Sequence, residues 1–159
     1  MIQRLQTLYL FLVVVCFALL SFLSPMQFMT TEGAEVQHLY DIAFLNVVDV
    51  TNAAQPLNVM SVWALAVLSI VIPLIALVSI FLYKKRIVQA RLNVFNIFLM
   101  LGYYILLVVY AWFVCQRLDV DWYLNVSAGI PLIGIILTFM AIRLILRDEA
   151  LVRAADRIR

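Results

Sequence analysis

Four long stretches of apolar residues alternate with short polar segments along the chain. They cover residues 8–23, 59–83, 94–115 and 126–146. A helix needs roughly 20 apolar residues to cross the hydrocarbon core of a bilayer. The only charged side chain within the four stretches is Arg143, which lies close enough to one end to reach the headgroups. The pattern therefore predicts four membrane-spanning helices.

The first stretch follows a short positive segment, as the apolar core of a secretory signal peptide does. No small-residue cleavage pattern of the A-x-A type follows it around residues 20–25. We therefore expect an uncleaved span rather than a signal peptide.

The connections between the apolar stretches differ in length. Residues 84–93 and 116–125 form short connections, which make their flanking helices antiparallel neighbours. The longer segment 24–58 has β-branched and aromatic residues at 36–40 and 44–50, a pattern that fits either a short hairpin or an interfacial helix. Sequence reasoning leaves these two alternatives open.

The last residues continue the helical pattern beyond the fourth apolar stretch. Residues 147–159 are good helix formers without Gly or Pro, so the final helix is expected to run on as a cytoplasmic extension. The predicted fold class is an all-α membrane protein, with residues 1–159 as one domain. Its predicted architecture is an antiparallel four-helix transmembrane bundle with an extended last helix.

The basic residues lie almost entirely on one side of this layout. Of the eleven, only Arg117 falls in the opposite connections, while the other ten lie at the two ends and in the connection 84–93. Positive charge accumulates on the cytoplasmic side of membrane proteins. The distribution therefore predicts that both termini and the connection 84–93 are cytoplasmic.

Composition supports a membrane protein and argues against an enzyme. Apolar residues make up 67% of the chain, against roughly 45–50% in soluble domains. His38 is the only histidine, Cys16 and Cys115 fit buried thiols, and no nucleophile, phosphate-loop or metalloprotease motif occurs. Asp119 and Asp121 form a D-x-D that could hold a cation, although a solvated loop is the favoured interpretation. We expect no catalytic residue, no metal site and no cofactor.

The third apolar stretch carries polar residues at depths where a membrane helix rarely has them. Asn96, Tyr103 and Tyr110 recur at intervals of seven residues, and Tyr104 lies beside them. Polar groups inside a bilayer need partners. The favoured interpretation is a seam that faces the other helices. The alternative is a site for the polar head of a lipid or quinone.

Small residues follow one face of two other predicted helices. They are Ala66, Ser69, Pro73, Ala76 and Ser79 in the second, and Gly134, Thr138 and Ala141 in the fourth. Small side chains let membrane helices approach closely. We expect these faces to pack within the protein, with docking to another protein as the alternative.

Three segments of the chain resemble a known family. Residues 1–10, 83–92 and 141–159 are similar to those of small four-span inner-membrane proteins from Bacteroidota, a domain of unknown function. The resemblance implies a bacterial inner-membrane location and no activity. It also directs attention to the cytoplasmic surface, where all three segments are expected to lie.

Charged and polar residues of these three segments are expected to converge at that surface. They are Arg4, Lys84, Lys85, Arg86, Gln89, Arg91, Arg147, Asp148, Glu149, Arg153, Asp156 and Arg157, with Gln6 beside them. Such a patch can lock the helix ends together or present a docking face. Nucleic-acid binding is not indicated, because no aromatic platform accompanies the charges. A narrow apolar stripe on the extended helix, at Leu144, Leu151, Ala155 and Ile158, needs something to cover it.

These features lead to two hypotheses about function. The first is a non-enzymatic structural or accessory subunit of a larger inner-membrane assembly, which docks other membrane proteins through helix faces and the basic patch. The alternative is a small protein that binds a lipid or quinone through Asn96, Tyr103 and Tyr104. A transporter or channel is disfavoured, because nothing ionisable lines a path through the predicted helices.

Overall fold

The computed structural model describes the backbone of residues 2–32, 35–42, 44–51, 57–83 and 85–156. It describes the side chains of these residues except 2–4, 31–32, 35–38, 57, 153 and 155–156. Over these ranges the chain forms four long helices and five strands.

The four helices lie side by side. They are α1 (Ile2–Leu20), α2 (Trp63–Phe81), α3 (Arg86–Leu118) and α4 (Ile130–Asp156). A 3₁₀ turn, Val126–Gly129, leads into α4. Helix α1 packs against α2 and α4, and α3 packs against the same two helices. Because successive helices begin at alternate ends, neighbours are antiparallel around the ring.

Two helix boundaries differ from the apolar stretches of the sequence. Helix α3 begins at Arg86, so most of the predicted connection 84–93 is helical and only a tight turn joins α2 to α3. Helix α4 continues to Asp156, well past the last long apolar run. The backbone hydrogen bonds of an α-helix are made within the helix. The charged residues at both places therefore do not interrupt it.

The prediction of an all-α fold is wrong, because the helices carry a five-stranded antiparallel sheet at one end. Its strands are β1 (Met26–Glu32), β2 (Glu35–Ile42), β3 (Asn46–Asp49), β4 (Leu57–Ser61) and β5 (Asp121–Leu124). The order across the sheet is β4-β3-β2-β1-β5. The alternatives left open for residues 36–40 and 44–50 are resolved in favour of strands.

Pairing between distant segments makes this sheet hard to recognise from local sequence. Strand β5 comes from the short connection between α3 and α4, and it pairs with β1, with Phe28 opposite Trp122. Strand β4 occupies residues at the start of the second apolar stretch, where sequence reasoning predicted a helix. Short strands of this kind are stabilised by their neighbours rather than by local preference.

One face of the sheet packs against the ends of the helices. Met26 and Phe28 alternate inward along β1, and they are joined by Ile42 of β2 and Val47 of β3, all at most 3% exposed. These side chains belong to the same buried cluster as Phe17 of α1. Side chains two residues apart along a strand lie on the same face of the sheet. This face and the helices therefore share a single core.

Three helices are long and apolar enough to cross a membrane. They are Trp63–Phe81, Arg86–Leu118 and the segment Val126–Val152. In α1 the apolar part is the shorter Leu5–Leu20. Large side chains on the outer faces, such as Ile105 and Val108, are more than half exposed, as expected for residues that face lipid.

Helix α4 comes very close to α1 at Gly134. A Cβ atom at this position would lie 3.0 Å from Cε2 of Phe17 and 3.5 Å from Cε of Met100. Phe17 and Met100 are both fully buried, so an added methyl group would have to displace core side chains by a few tenths of an ångström. The glycine therefore sets the distance between α1, α3 and α4.

We expect Gly134→Ala to lower the free energy of unfolding by about 1–3 kcal/mol, because an added methyl group overpacks this contact. Thermal unfolding of the purified protein in mild detergent, followed by circular dichroism, measures the change. Gly102→Ala is the matched control, since nothing lies within 4 Å of its added Cβ. Equal midpoints for the two variants would contradict the close packing at Gly134.

Candidate functional site

Three helices are joined by hydrogen bonds at the end opposite the sheet, which we call the basic end. Nε2 of Gln6 in α1 donates to Oδ2 of Asp148 in α4 at 3.0 Å. Nη1 of Arg86 in α3 donates to the main-chain oxygen of Asp148 at 3.1 Å. We call these three residues the helix-end lock. Asp148 is only 8% exposed, and the bond from Gln6 offsets part of the desolvation of its carboxylate.

The predicted docking residues divide between this lock and the surrounding surface. Lys85, Arg91 and Arg147 are exposed, Arg86 and Glu149 are half-buried, and Gln89 and Asp148 are buried. The side chains of Arg4, Arg153 and Asp156, and the residues Lys84 and Arg157, lie outside the described part of the chain. The structure thus brings Arg86 and Asp148 together and leaves the outer cations facing solvent.

A groove between α1 and α2 begins at the basic end. Its first part is a cavity of about 490 Å³ lined by Gln6, Thr7, Ile80, Phe81, Tyr83, Arg86 and Gln89. A second cavity of about 410 Å³ continues from it and is lined by Thr7, Leu8, Phe11, Leu77, Ile80 and Phe81. We call the two together the α1–α2 groove. Sequence reasoning missed the groove. The groove depends on the distance between α1 and α2, which the local sequence does not indicate.

Tyr104 is fully engaged within the protein. Its hydroxyl donates to the main-chain oxygen of Ala128 at 2.7 Å and accepts from the main-chain N–H of Leu132 at 2.9 Å. The first N–H groups of a helix have no partner within the helix, and Tyr104 supplies one for α4. The structure therefore places the hydroxyl of Tyr104 at the start of α4.

The other members of the predicted seam have different surroundings. Tyr103 is 3% exposed, and its ring meets that of Phe17 edge to face, with centroids 6.3 Å apart. Tyr110 is half-buried against the core. Asn96 is fully buried. Tyr103 and Asn96 thus face the other helices, whereas Tyr110 lies at the border of the core.

Two buried asparagine side chains in α3 have no hydrogen-bond partner. Both amide atoms of Asn93 and both of Asn96 are unpaired, and so is the hydroxyl of Ser79 in α2. Both asparagines are 0% exposed. They follow Gln89 at intervals of four and three residues, so the three amides lie on one face of α3. Sequence reasoning singled out Asn96 but not Asn93, because Asn93 lies outside the seven-residue spacing of Asn96, Tyr103 and Tyr110.

The sheet end carries the remaining residues considered from the sequence. Asp119 ends α3 with left-handed backbone angles, φ 53° and ψ 49°, a conformation that Asp adopts more readily than most residues. Asp121 begins the exposed strand β5. Among the described residues, no group of three or more His, Cys, Asp or Glu side chains could hold a metal ion. The thiols of Cys16 and Cys115 are free and only half-buried, not buried as predicted.

One tyrosine of the sheet has a shifted pKa. Partial burial raises the pKa of Tyr40, and the negative charge of Asp49 raises it further. The two residues are cross-strand partners in the pairing of β2 with β3. Both causes disfavour the charged phenolate on this part of the sheet.

The comparison with protein families accounts for nearly the whole chain. The model of a family described as a domain of unknown function, DUF4293, matches residues 2–158. The chain belongs to this family. The resemblance to a family of unknown function is thereby confirmed, over both the helices and the sheet. No curated protein matches the chain.

The bonds of Tyr104 lead to a first test at this site. We expect Tyr104→Phe to lower the free energy of unfolding by about 1–3 kcal/mol, because it leaves the Leu132 N–H and the Ala128 carbonyl without their partner. Chemical or thermal unfolding in detergent measures the loss. Tyr123→Phe is the control, since that ring is 48% exposed on the sheet. A Tyr104→Phe variant as stable as the control would contradict the capping role.

The unpaired asparagines lead to a second test. We expect Asn96→Leu to raise the free energy of unfolding by about 1–3 kcal/mol, because it removes two buried polar atoms that lack partners. Thr138→Val serves as the control, since the Thr138 hydroxyl is already bonded to the main-chain oxygen of Gly134 at 2.8 Å. A loss of stability in Asn96→Leu would show instead that ordered water or another molecule satisfies the amide.

Proposed function

We propose that the chain is a non-enzymatic accessory subunit of a larger assembly in the bacterial inner membrane, from an organism of the Bacteroidota. In this proposal all four helices cross the bilayer, both termini and the basic end lie in the cytoplasm, and the sheet lies outside. The partners are other inner-membrane proteins, and lipid surrounds the rest of the helices.

The distribution of charged and aromatic side chains supports this orientation. The exposed cations Lys85, Arg91 and Arg147 lie at one end of the helices, as the positive-inside rule requires of a cytoplasmic surface. The exposed rings of Trp63 and Trp122 lie at the sheet end, where a second interface would be. The apolar part of α1, Leu5–Leu20, is about 24 Å long, and local thinning of the bilayer accommodates its difference from the roughly 30 Å of a hydrocarbon core.

The observation that carries the docking proposal is an uncovered apolar surface on the extension of α4. In the proposed orientation the part of α4 that follows Arg147, Asp148 and Glu149 leaves the membrane, yet Leu151 and Val152 are 55% and 43% exposed. Apolar side chains that no lipid covers are typical of contacts with another protein. Leu151 follows Leu144 by seven residues, the spacing of a helix-to-helix seam, so the expected occupant is a helix of a partner protein.

Native purification of a tagged chain from its own membranes in mild detergent, followed by mass spectrometry, tests the proposal. We expect a stoichiometric set of membrane proteins with the wild-type chain, and about tenfold less of it with Leu151→Glu, a change of ~1.4 kcal/mol in association. Ala150→Glu is the matched control, because it adds the same charge to an exposed neighbouring position off the seam.

Two outcomes would contradict the accessory-subunit proposal. The first is a wild-type chain that purifies alone while its deletion leaves the large membrane complexes unchanged. The second is an equal loss of partners in Leu151→Glu and Ala150→Glu, which would place the contact elsewhere on the molecule.

A further inference from the structure

We propose that the α1–α2 groove is a binding site for one anionic phospholipid, with its phosphate at Arg86 and an acyl chain between α1 and α2. The inference rests on the proposed orientation, which puts the basic end in the cytoplasmic leaflet. It does not depend on whether a protein partner exists.

The two cavities form one continuous groove. Thr7, Ile80 and Phe81 line both of them. Leu77 lines only the second cavity and lies four residues before Phe81, about 6 Å further along the helix axis. The groove therefore runs from the turn after α2 toward the middle of the helices, along the direction that acyl chains take in a bilayer.

The chemistry of the lining changes along the groove. At the basic end the walls include the guanidinium of Arg86 and the amides of Gln6 and Gln89. Both glutamine side chains are at most 6% exposed, so these polar groups are set into the wall and are not surface groups in open water. Further in, the walls are the apolar side chains of Leu8, Phe11 and Leu77. A ligand that fits must be polar at one end and hydrocarbon at the other.

Charge at the polar end favours an anion. Arg86 is held against the groove by its bond to the Asp148 main chain, and a guanidinium has five N–H donors in a planar fork that suits phosphate. Lys85 is its exposed neighbour, and Glu149 faces both cations from a separate cavity of about 270 Å³ on the other side of Arg86. The Asp148 carboxylate is turned toward Gln6.

The charge of the groove lining sets the preference among lipids. Among the residues that line its walls, all of them within the described part of the chain, Arg86 is the one charged side chain, and basic pockets between membrane helices bind anionic headgroups. The expected occupant is therefore phosphatidylglycerol or another anionic phospholipid, in preference to zwitterionic phosphatidylethanolamine.

Native mass spectrometry of the full-length chain, released from detergent after addition of each lipid, tests the site. We expect more bound phosphatidylglycerol than phosphatidylethanolamine of the same chain length. Arg86→Gln should lower the fraction bound to phosphatidylglycerol about tenfold, the effect of losing one charge-assisted hydrogen bond. The control, Arg147→Gln, removes the same charge from an exposed position outside the groove.

A second variant tests the apolar part without touching the helix-end lock. Leu77→Trp fills the inner cavity and should lower the bound fraction by a similar factor, whereas Leu74→Trp, on an exposed face of the same helix, should leave it unchanged. This pair decides the question by itself if Arg86→Gln fails to fold.

Several results would overturn the inference. If Arg86→Gln and Arg147→Gln lower the fraction bound to phosphatidylglycerol equally, the lipid is attracted by surface charge in general and not by Arg86. Displacement of the lipid by inorganic phosphate, with no effect of Leu77→Trp, would show an anion site without an acyl-chain groove. Equal binding of the two lipids would exclude the anionic preference. Labelling of a Lys85→Cys variant from either side of intact membranes tests the orientation separately, so failure of the topology and failure of the site are distinguishable.

Discussion

The contact between Phe17 and Gly134 determines how the rest of the molecule is arranged. It brings α1 and α4 so close that a Cβ atom at residue 134 would lie 3.0 Å from the Phe17 ring, and the two helices run antiparallel toward the basic end. Gln6 lies 11 residues before Phe17, about 16 Å along α1, and there it meets Asp148 of α4. The close approach in the middle of the helices therefore makes the helix-end lock geometrically possible.

The same contact connects the helices to the sheet. Phe17 belongs to the buried cluster that includes Met26 and Phe28 of β1, and its ring also meets Tyr103 of α3. Strand β5 then ties the connection between α3 and α4 to β1. Since each strand is short, its stability comes from this shared core and from its neighbours in the sheet. The sheet end is consequently held together by pairing between distant segments, whereas the basic end has an open groove between α1 and α2.

The interior also contains groups that do not contribute to stability. Asn93, Asn96 and Ser79 carry buried polar atoms without partners, and each such atom costs free energy in an apolar environment. They lie on helices α2 and α3, which also line the α1–α2 groove. Stability given up in this way is often found near functional positions. Among the described residues, a further unpaired buried atom, Oδ1 of Asp41, lies in the sheet.

The sequence by itself determined the apolar helices, their order and the clustering of basic residues at one end, because these follow from hydrophobicity and charge along the chain. It also indicated Asn96, Tyr103 and Tyr104 as unusual, since polar residues within an apolar stretch can be recognised from the sequence alone. Only the tertiary structure decided that strands β1 to β5 form one sheet, because β1 pairs with a strand from the far end of α3. It alone decided that Tyr104 caps α4 and that Arg86 and Asp148 lock helix ends. These contacts join residues distant in the chain, and their geometry depends on how closely the helices pack.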